Sequence, residues 1–269
     1  MIEIVAAIVL VSGLFFGGWH ELVHHSNIKP AFVTPSMNVH LEFSGDLVPR
    51  LYRATHDSIP VNRSARPKLI ALTFDDGPYP IFTPMLLDVL TQLHVPATFF
   101  LIGRDAQEWP ELAHRIEARG NEVADHTYSH PNLDQESAGE VRHEVIEGRN
   151  VLWSLTHDSA VRTMMRPPHG RYTERTLQVV QSLGYDVVLW TDDGGDWRTV
   201  TVAQLQRHLL DHATAPEIVL LHSGKLATIE ALPGIVASFE KAGYRFVTVG
   251  ELLAHVTPND LNHPLRRPV

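Results

Sequence analysis

The sequence predicts an α/β fold built on a parallel β-sheet. From residue 68 onward, short apolar runs alternate with amphipathic segments, and those segments carry signals for helix starts and stops. Seven such β-then-α units in about 185 residues fit either an open doubly wound sheet or a barrel of the TIM type. Both architectures use right-handed crossovers, so the alternation alone leaves the choice between them open.

The predicted strands are the apolar runs of this region. They cover residues 69–74, 97–102, 122–126, 162–166, 186–191, 217–222 and 245–249. Between them, Thr83 followed by Pro84 is typical of an N-cap and a first helical residue, and Ser137 with Glu140 three residues later forms a capping box. Three glycines stand where helices of 3.6-residue period should stop, and they are Gly120, Gly184 and Gly243.

Composition excludes several classes of function. The chain has 22 basic and 31 acidic residues, a formal net charge of -9, and no stretch dense in Lys and Arg. A nucleic-acid groove would need such a stretch, so we expect no nucleic-acid partner. Because the chain has no cysteine, disulfides, thiolate metal sites and cysteine nucleophiles are excluded, and His, Asp or Glu must hold any metal.

The N-terminal region predicts export or attachment to a membrane. Residues 4–19 are apolar without interruption, which is shorter than the roughly 20 residues of a spanning helix and longer than a typical signal-peptide core. We expect residues 1–25 to be a signal anchor or signal peptide, with the anchor favoured. Residues 26–66 contain scattered prolines and are interpreted as a linker or extension, residues 67–256 as the main domain, and residues 257–269 as a C-terminal tail.

Polar side chains follow five of the seven predicted strands at the point where each strand ends. Asp75 and Asp76 follow the first, and the others bring His126, Arg166, the segment DDGGDW at 192–197, and His222. The carboxyl ends of parallel strands meet at one edge of a sheet, where α/β proteins place their active sites. An ordinary turn would explain one adjacent pair of aspartates. It does not explain well why ionisable residues follow five different strands.

The pattern HTYSH predicts a metal site. His126 and His130 are four residues apart, so one turn of helix would place both imidazoles on the same side. Two surface histidines are the ordinary interpretation of such a pair. Beside Asp75 and Asp76, however, the pair fits a His, His, Asp triad for a divalent cation, in which one carboxylate binds the metal and the other remains a base. Arg166 is expected to be a buried orienting cation rather than a surface ion pair.

These motifs together resemble the polysaccharide deacetylase family, also called the NodB homology domain or carbohydrate esterase family 4. Five motifs of that family occur in order across about 150 residues. They are TFDDG at 73–77, HTYSH at 126–130, RPPHG at 166–170, DGGDW at 193–197 and LLH at 220–222. The resemblance implies a distorted (β/α)7 barrel over residues 67–256, and residues 1–66 lie outside it.

The resemblance also implies the roles of single residues. Asp76, His126 and His130 would bind a divalent metal, with zinc favoured and cobalt, nickel or manganese as alternatives. Asp75 would act as general base on the water that the metal activates.

The same likeness implies that Arg166 positions Asp75 with support from Asp196, that Trp197 lines the substrate groove, and that His222 protonates the leaving amine. His169 stands where the family usually has Tyr. The family uses the backbone N–H at this position for the oxyanion, which any residue except Pro supplies, although the sugar subsite could differ.

The expected function is metal-dependent removal of acetyl groups from an N-acetylated polysaccharide, either peptidoglycan or a chitin-like polymer of N-acetylglucosamine. We expect a monomer that acts outside the cytoplasmic membrane, either anchored or secreted. Two alternatives remain open: an O-acetyl esterase of the xylan type, and a carbohydrate-binding protein that has lost the chemistry.

Overall fold

A single sheet of parallel strands organises the part of the chain that the computed structural model describes, residues 68–256. The predicted anchor, the linker up to residue 67 and the predicted tail lie outside the described residues. Within residues 68–256 no helix combines the length and the apolar character needed to cross a membrane. The strands are β1 (Lys68–Asp75), β2 (Thr98–Leu101), β3 (Glu122–Asp125), β4 (Met164–Met165), β5 (Asp186–Val187), β6 (Asp192–Asp193), β7 (Glu217–His222) and β8 (Tyr244–Phe246).

The strand order is that of an opened barrel. The hydrogen-bonded order is β5-β4-β3-β2-β1-β7-β6, and β8 pairs with the first residues of β1. This is the sequential order of seven strands around a ring, with β1 next to β7 and an opening between β5 and β6. A doubly wound sheet would reverse direction at a switch point instead. The curled half-barrel is therefore consistent with the distorted (β/α)7 barrel that the motifs imply.

The prediction of one strand over 186–191 was wrong, because only Asp186 and Val187 of this segment belong to a strand. β5 ends at Val187, and β6 begins at Asp192 and pairs with β7. Between them the carbonyl oxygens of Val188 and Leu189 accept hydrogen bonds of 3.0 and 3.1 Å from the guanidinium of Arg166. Because these carbonyls accept hydrogen bonds from a buried side chain, they cannot accept the interstrand hydrogen bonds that would continue the strand.

Helices follow most of the strands, and most of the predicted helix signals are confirmed. The helices are α1 (Phe82–Leu93), α2 (Gly103–Glu108), α3 (Pro110–Ala118), α4 (Ala138–Thr156), α5 (Glu174–Ser182), α6 (Val202–His212), α7 (Leu226–Lys241) and α8 (Val249–His255). Ser137 and Glu140 form the capping box of α4. Three glycines with positive φ follow α3, α5 and α7, at Gly120, Gly184 and Gly243. Thr83 is not an N-cap, because α1 begins at Phe82 and the Thr83 hydroxyl accepts a hydrogen bond from the Tyr79 N–H.

Alternate side chains of β1 point to opposite faces of the sheet and pack into two different layers. Ile70, Leu72 and Phe74 belong to the large cluster that includes buried residues of α1 and α7. Leu69 and Ala71 pack instead with residues such as Phe100 and Leu252. Thr73 and Asp75 share the parity of this second set, so their side chains point to the same side of the sheet. The result is a polar pair at the end of an otherwise apolar strand face.

Candidate active site

The carboxyl ends of β1 and β7 bring Asp75 and His222 side by side. The two residues are paired partners in the register of the parallel ladder, and the backbone N–H of the next residue, Ser223, donates to the Asp75 carbonyl at 3.0 Å. His126 follows the last residue of β3, two strands away, and Arg166 follows β4. The predicted gathering of polar residues at one edge of the sheet is therefore confirmed for these four residues.

Three side chains form a compact group that could hold a metal ion. Asp76, His126 and His130 each offer one ligand atom, and these atoms all lie within 4.8 Å of one another. The Asp76 Oδ1 atom lies 3.3 Å from Nε2 of His130 and 3.8 Å from Nε2 of His126. Two imidazoles and one carboxylate are a donor set that suits zinc and other divalent transition metals.

The tautomer and the protonation state of His126 are those of a metal ligand. Its Nδ1 atom lies 2.8 Å from the Arg166 carbonyl, so Nδ1–H donates there and Nε2 keeps its lone pair. Burial lowers the pKa of His126 to about 3, despite the opposing effect of Asp76. The ring is therefore neutral over the physiological range, and a neutral imidazole is the form that binds metals.

The expected helical turn over HTYSH is wrong, although the two rings do come together. Residues 126–130 form a bend in which Thr127 and His130 have positive φ. The backbone bonds of this bend go to other elements: the Thr127 carbonyl accepts from Gly103, and the Tyr128 N–H donates to the Glu144 carbonyl. The ring centroids of His126 and His130 are 4.9 Å apart. This geometry depends on hydrogen bonds to α2 and α4. The four-residue spacing of the two histidines could not predict those bonds.

The other aspartate, Asp75, shares one neighbour with Asp76, because its Oδ2 atom lies 3.7 Å from Nε2 of His126, but its hydrogen-bond partner is Arg166. Its Oδ1 atom accepts a 2.6 Å hydrogen bond from Nη1 of Arg166, a side chain with no exposed surface. The same Nη1 atom lies 2.7 Å from the Thr73 hydroxyl, and the guanidinium carbon lies 4.0 Å from the Phe100 ring centroid. Burial raises the pKa of Asp75, and the positive charge of Arg166 opposes that rise only in part. A carboxylate with a raised pKa is a better proton acceptor.

Asp196 contacts His222 and not Arg166, which corrects the expected support of Arg166. Its Oδ1 atom lies 2.7 Å from Nδ1 of His222, and its Oδ2 atom accepts from the His222 N–H at 2.9 Å and from the Thr228 hydroxyl at 2.6 Å. Burial alone would lower the pKa of His222, but the hydrogen bond and charge of Asp196 outweigh it, and the pKa is raised. The Nδ1–H bond leaves Nε2 as the nitrogen that can deliver a proton.

Trp197 and His169 lie at the exposed rim. Trp197 is 51% exposed, and its Nε1–H donates to Oδ2 of Asp193 at 3.3 Å. His169 has a φ of 57°, and its ring packs edge-on against His130 with centroids 4.7 Å apart. Within residues 68–256 no group accepts a hydrogen bond from the His169 backbone N–H, while the next two N–H groups bond to Pro167 and Pro168. That N–H is therefore available to an oxygen of a ligand.

Sequence reasoning missed three supporting residues. Thr73 links β1 to Arg166, and Thr228 at the start of α7 fixes Asp196. Asp125 is fully buried, and its Oδ1 atom accepts from the Thr127 N–H at 2.8 Å, which holds the bend that carries the two histidines. The signal for Thr73 was present, because it stands two residues before Asp75 on the same strand face; the other two depend on contacts between distant segments.

Comparisons with known proteins agree with this fold. A sequence model of the family described as polysaccharide deacetylase matches residues 62–188. The chain is 35% identical over 193 residues to a peptidoglycan-N-acetylglucosamine deacetylase of Bacillus cereus, covering 70% of this chain and 89% of the relative. It is 37% identical over 155 residues to a chitooligosaccharide deacetylase of Sinorhizobium fredii, covering 58% of this chain and 72% of the relative.

Comparison with a solved structure supports the same fold and the same family. The crystal structure of a peptidoglycan N-acetylglucosamine deacetylase superimposes with a TM-score of 0.67 at 33% identity, covering 71% of this chain and 90% of that chain. The fold and its relatives define a hydrolase that acts on carbohydrate polymers. More specifically, the chain belongs to the polysaccharide deacetylase family.

Proposed function

We propose that this polysaccharide deacetylase hydrolyses the acetamide of N-acetylglucosamine residues in peptidoglycan and depends on a divalent metal, with zinc favoured. The observation that carries the proposal is the division of labour between adjacent aspartates: Asp75 bonds to buried Arg166, while Asp76 faces His126 and His130. The named peptidoglycan relatives support the polymer, and chitin-like oligomers remain the second substrate because of the chitooligosaccharide relative.

Asp76, His126 and His130 would hold the metal, because their donor atoms lie close together and His126 is held in the ligating tautomer. Such an ion supplies Lewis acidity, which polarises the acetyl carbonyl and makes water more acidic. Asp75, held by Arg166, would take a proton from the attacking water. The His169 N–H would stabilise the developing oxyanion.

His222 would complete the reaction as general acid. Asp196 raises the pKa of His222 and so stabilises its protonated form, and the hydrogen bond to Nδ1 leaves Nε2 to face the substrate. The C–N bond then breaks as the proton reaches the amine, with acetate as the second product. Trp197 would line the groove that receives the sugar.

We also propose the assignments of the residues outside the described range. Residues 1–25 would be a signal anchor or signal peptide, residues 26–66 a linker or extension, and residues 257–269 a tail, with the chemistry carried by residues 67–256. The apolar run 4–19 supports a membrane partner and a site of action outside the cytoplasm, where peptidoglycan lies. A monomer is proposed as the acting form.

The test is acetate release from a panel of acetylated polymers. The full-length protein with added zinc is incubated with peptidoglycan, N-acetylglucosamine oligomers and acetylated xylan, and products are analysed by mass spectrometry for loss of acetyl groups. We expect loss from peptidoglycan first and from the oligomers second. Release from xylan alone would favour the O-acetyl esterase, and binding of glycans without release under any metal would favour the carbohydrate-binding alternative.

A further inference from the structure

Arg198 is an exposed cation at the rim of the active site. It follows Asp196 by two residues, and Asp196 is fixed to His222 by a contact of 2.7 Å. Since consecutive Cα atoms lie about 3.8 Å apart, the Cα atom of Arg198 is no more than about 7.6 Å from that of Asp196. Arg198 therefore lies on the same edge of the sheet as the proposed general acid.

Two neighbours restrict the Arg198 side chain. Its guanidinium carbon lies 5.0 Å from the centroid of the Trp197 ring, within the range of a cation-π contact. It also packs on Gly195, because a Cβ atom at that position would lie 2.6 Å from Nη2 of Arg198. The Arg198 N–H donates to the Gly195 carbonyl at 3.2 Å, which closes the turn. A side chain ordered in advance loses less entropy when a ligand binds.

The guanidinium of Arg198 forms no ion pair with any carboxylate in the described part of the chain. Arg171 and Arg245, by contrast, are paired: Arg171 donates through Nε and Nη2 to Asp134 at 3.0 and 2.7 Å, and Arg245 pairs with Glu251 at 2.7 Å. Free guanidinium donors form a planar fork that matches a carboxylate. Beside a half-exposed tryptophan, such a fork is suited to a sugar that carries an acidic substituent.

We propose that Trp197 and Arg198 form a subsite for a negatively charged sugar residue next to the residue being deacetylated. This inference rests on the proposed function and adds the charge of the neighbouring sugar to it. The ligand group is a carboxylate on the substituent of that sugar, either a lactyl ether carboxylate or the first carboxylate of an attached peptide. Polymers of N-acetylglucosamine carry neither, so the subsite would distinguish peptidoglycan from chitin-like polymers.

The test compares Arg198→Gln with wild type on four glycans of equal length. They are N-acetylglucosamine oligomers, strands with free lactyl carboxylates, the same strands with those carboxylates amidated, and strands with attached peptides. Arg245→Gln is the matched control, because it removes one positive charge from β8, which pairs with the start of β1 at the opposite edge of the sheet. Both kcat/KM and the dissociation constant are measured.

We expect Arg198→Gln to lose about tenfold in kcat/KM and affinity on anionic strands, the size of one charge-assisted contact. It should stay within about twofold of wild type on neutral glycans, and Arg245→Gln should change neither. A preference for the lactyl or the peptide strands identifies which carboxylate binds. Equal losses on all glycans, or no loss on either anionic strand, would overturn the proposal. The affinity measurement decides the question even if wild type releases no acetate, which would instead refute the proposed function.

Discussion

Arg166 and Asp75 form a buried ion pair in which Nη1 donates to Oδ1 at 2.6 Å. The Nε and Nη2 atoms of Arg166 donate to the backbone carbonyls of Val188 and Leu189, and Nη1 also donates to the Thr73 hydroxyl, so the orientation of the guanidinium is fixed. This pair distinguishes the two adjacent aspartates: Asp75 is hydrogen-bonded to Arg166, whereas Asp76 has a φ of 68° and lies 3.3 Å from Nε2 of His130. His126 lies between them, with Nε2 3.7 Å from Asp75 and 3.8 Å from Asp76.

The first prediction concerns Asp196 and the pH dependence of turnover. Asp196→Asn keeps the shape of the side chain but removes the charge that raises the pKa of His222. The pKa of His222 should fall, so the alkaline limb of kcat/KM should move to lower pH, by about one unit for about 1.4 kcal/mol of lost interaction. A full pH-rate profile of the variant measures this shift.

The control for that profile is Thr228→Val, which removes only the hydrogen bond from the Thr228 hydroxyl to Asp196. Its alkaline limb should move less, because the carboxylate remains. An Asp196→Asn enzyme that is slower at every pH, with the limb unmoved, would show that Asp196 does not act through the protonation of His222.

The second prediction concerns two glycines of α4. Gly to Ala inside a helix usually stabilises a protein by up to about 1 kcal/mol. At Gly148 it should destabilise, because the new Cβ would lie 2.6 Å from Oδ1 of Asp125 and 2.8 Å from the Thr127 carbonyl carbon. At Gly139 nothing lies closer than the Ser137 hydroxyl oxygen at 3.9 Å, so the ordinary gain is expected.

Urea unfolding of Gly148→Ala and Gly139→Ala measures the contrast, with metal affinity as a second readout. Gly148→Ala should also weaken metal binding, because Asp125 and Thr127 hold the bend that carries His126 and His130. Equal stabilisation by both variants would show that α4 does not press on this bend.

The third prediction concerns Glu217, which is fully buried at the start of β7. Burial raises its pKa to about 8, and its Oε1 atom has no hydrogen-bond partner within the described residues. A carboxyl whose pKa is raised in the folded state contributes stability below pH 4.5, and this contribution is lost as the pH rises towards 8. Glu217→Gln should therefore raise the melting temperature at pH 8.5 more than at pH 5.

Thermal unfolding at the two pH values checks this expectation. Glu230→Gln, at an exposed position of α7, is the control and should leave the difference between the two pH values unchanged. An equal change in melting temperature for Glu217→Gln at both pH values would contradict the prediction, because it would mean that ionisation of Glu217 does not destabilise the folded protein.

The fourth prediction concerns the metal. Exhaustive chelation should abolish deacetylation, and zinc or cobalt should restore it. The reason is that the two histidines and the carboxylate cannot themselves polarise the acetyl carbonyl or make water more acidic, which a bound cation would do. Elemental analysis establishes that the metal is absent, and circular dichroism establishes that the fold persists. Full activity of the metal-free protein would remove the ligand roles of Asp76, His126 and His130.

The sequence was sufficient to predict most of the strands and helices and the edge of the sheet that carries the site. The strand ends at Asp75 and His222 follow from apolar periodicity and from the parallel topology that it indicates. Three features could not be predicted, namely the break of the strand over 186–191, the bend at 126–130 and the partner of Asp196. Each depends on hydrogen bonds between distant segments, such as those from Arg166 to Val188 and from His222 to Asp196.

The division of labour between Asp75 and Asp76 is tested most directly by metal content and deacetylation rate measured together in two variants. Asp76→Ala should lose the metal and the activity together, since it removes one of three ligands. Asp75→Asn should keep the metal and lose about 10² to 10⁴-fold in rate, the usual contribution of a general base. An Asp75→Asn protein that turns over near the normal rate, or that loses its metal as readily as Asp76→Ala, would contradict the account.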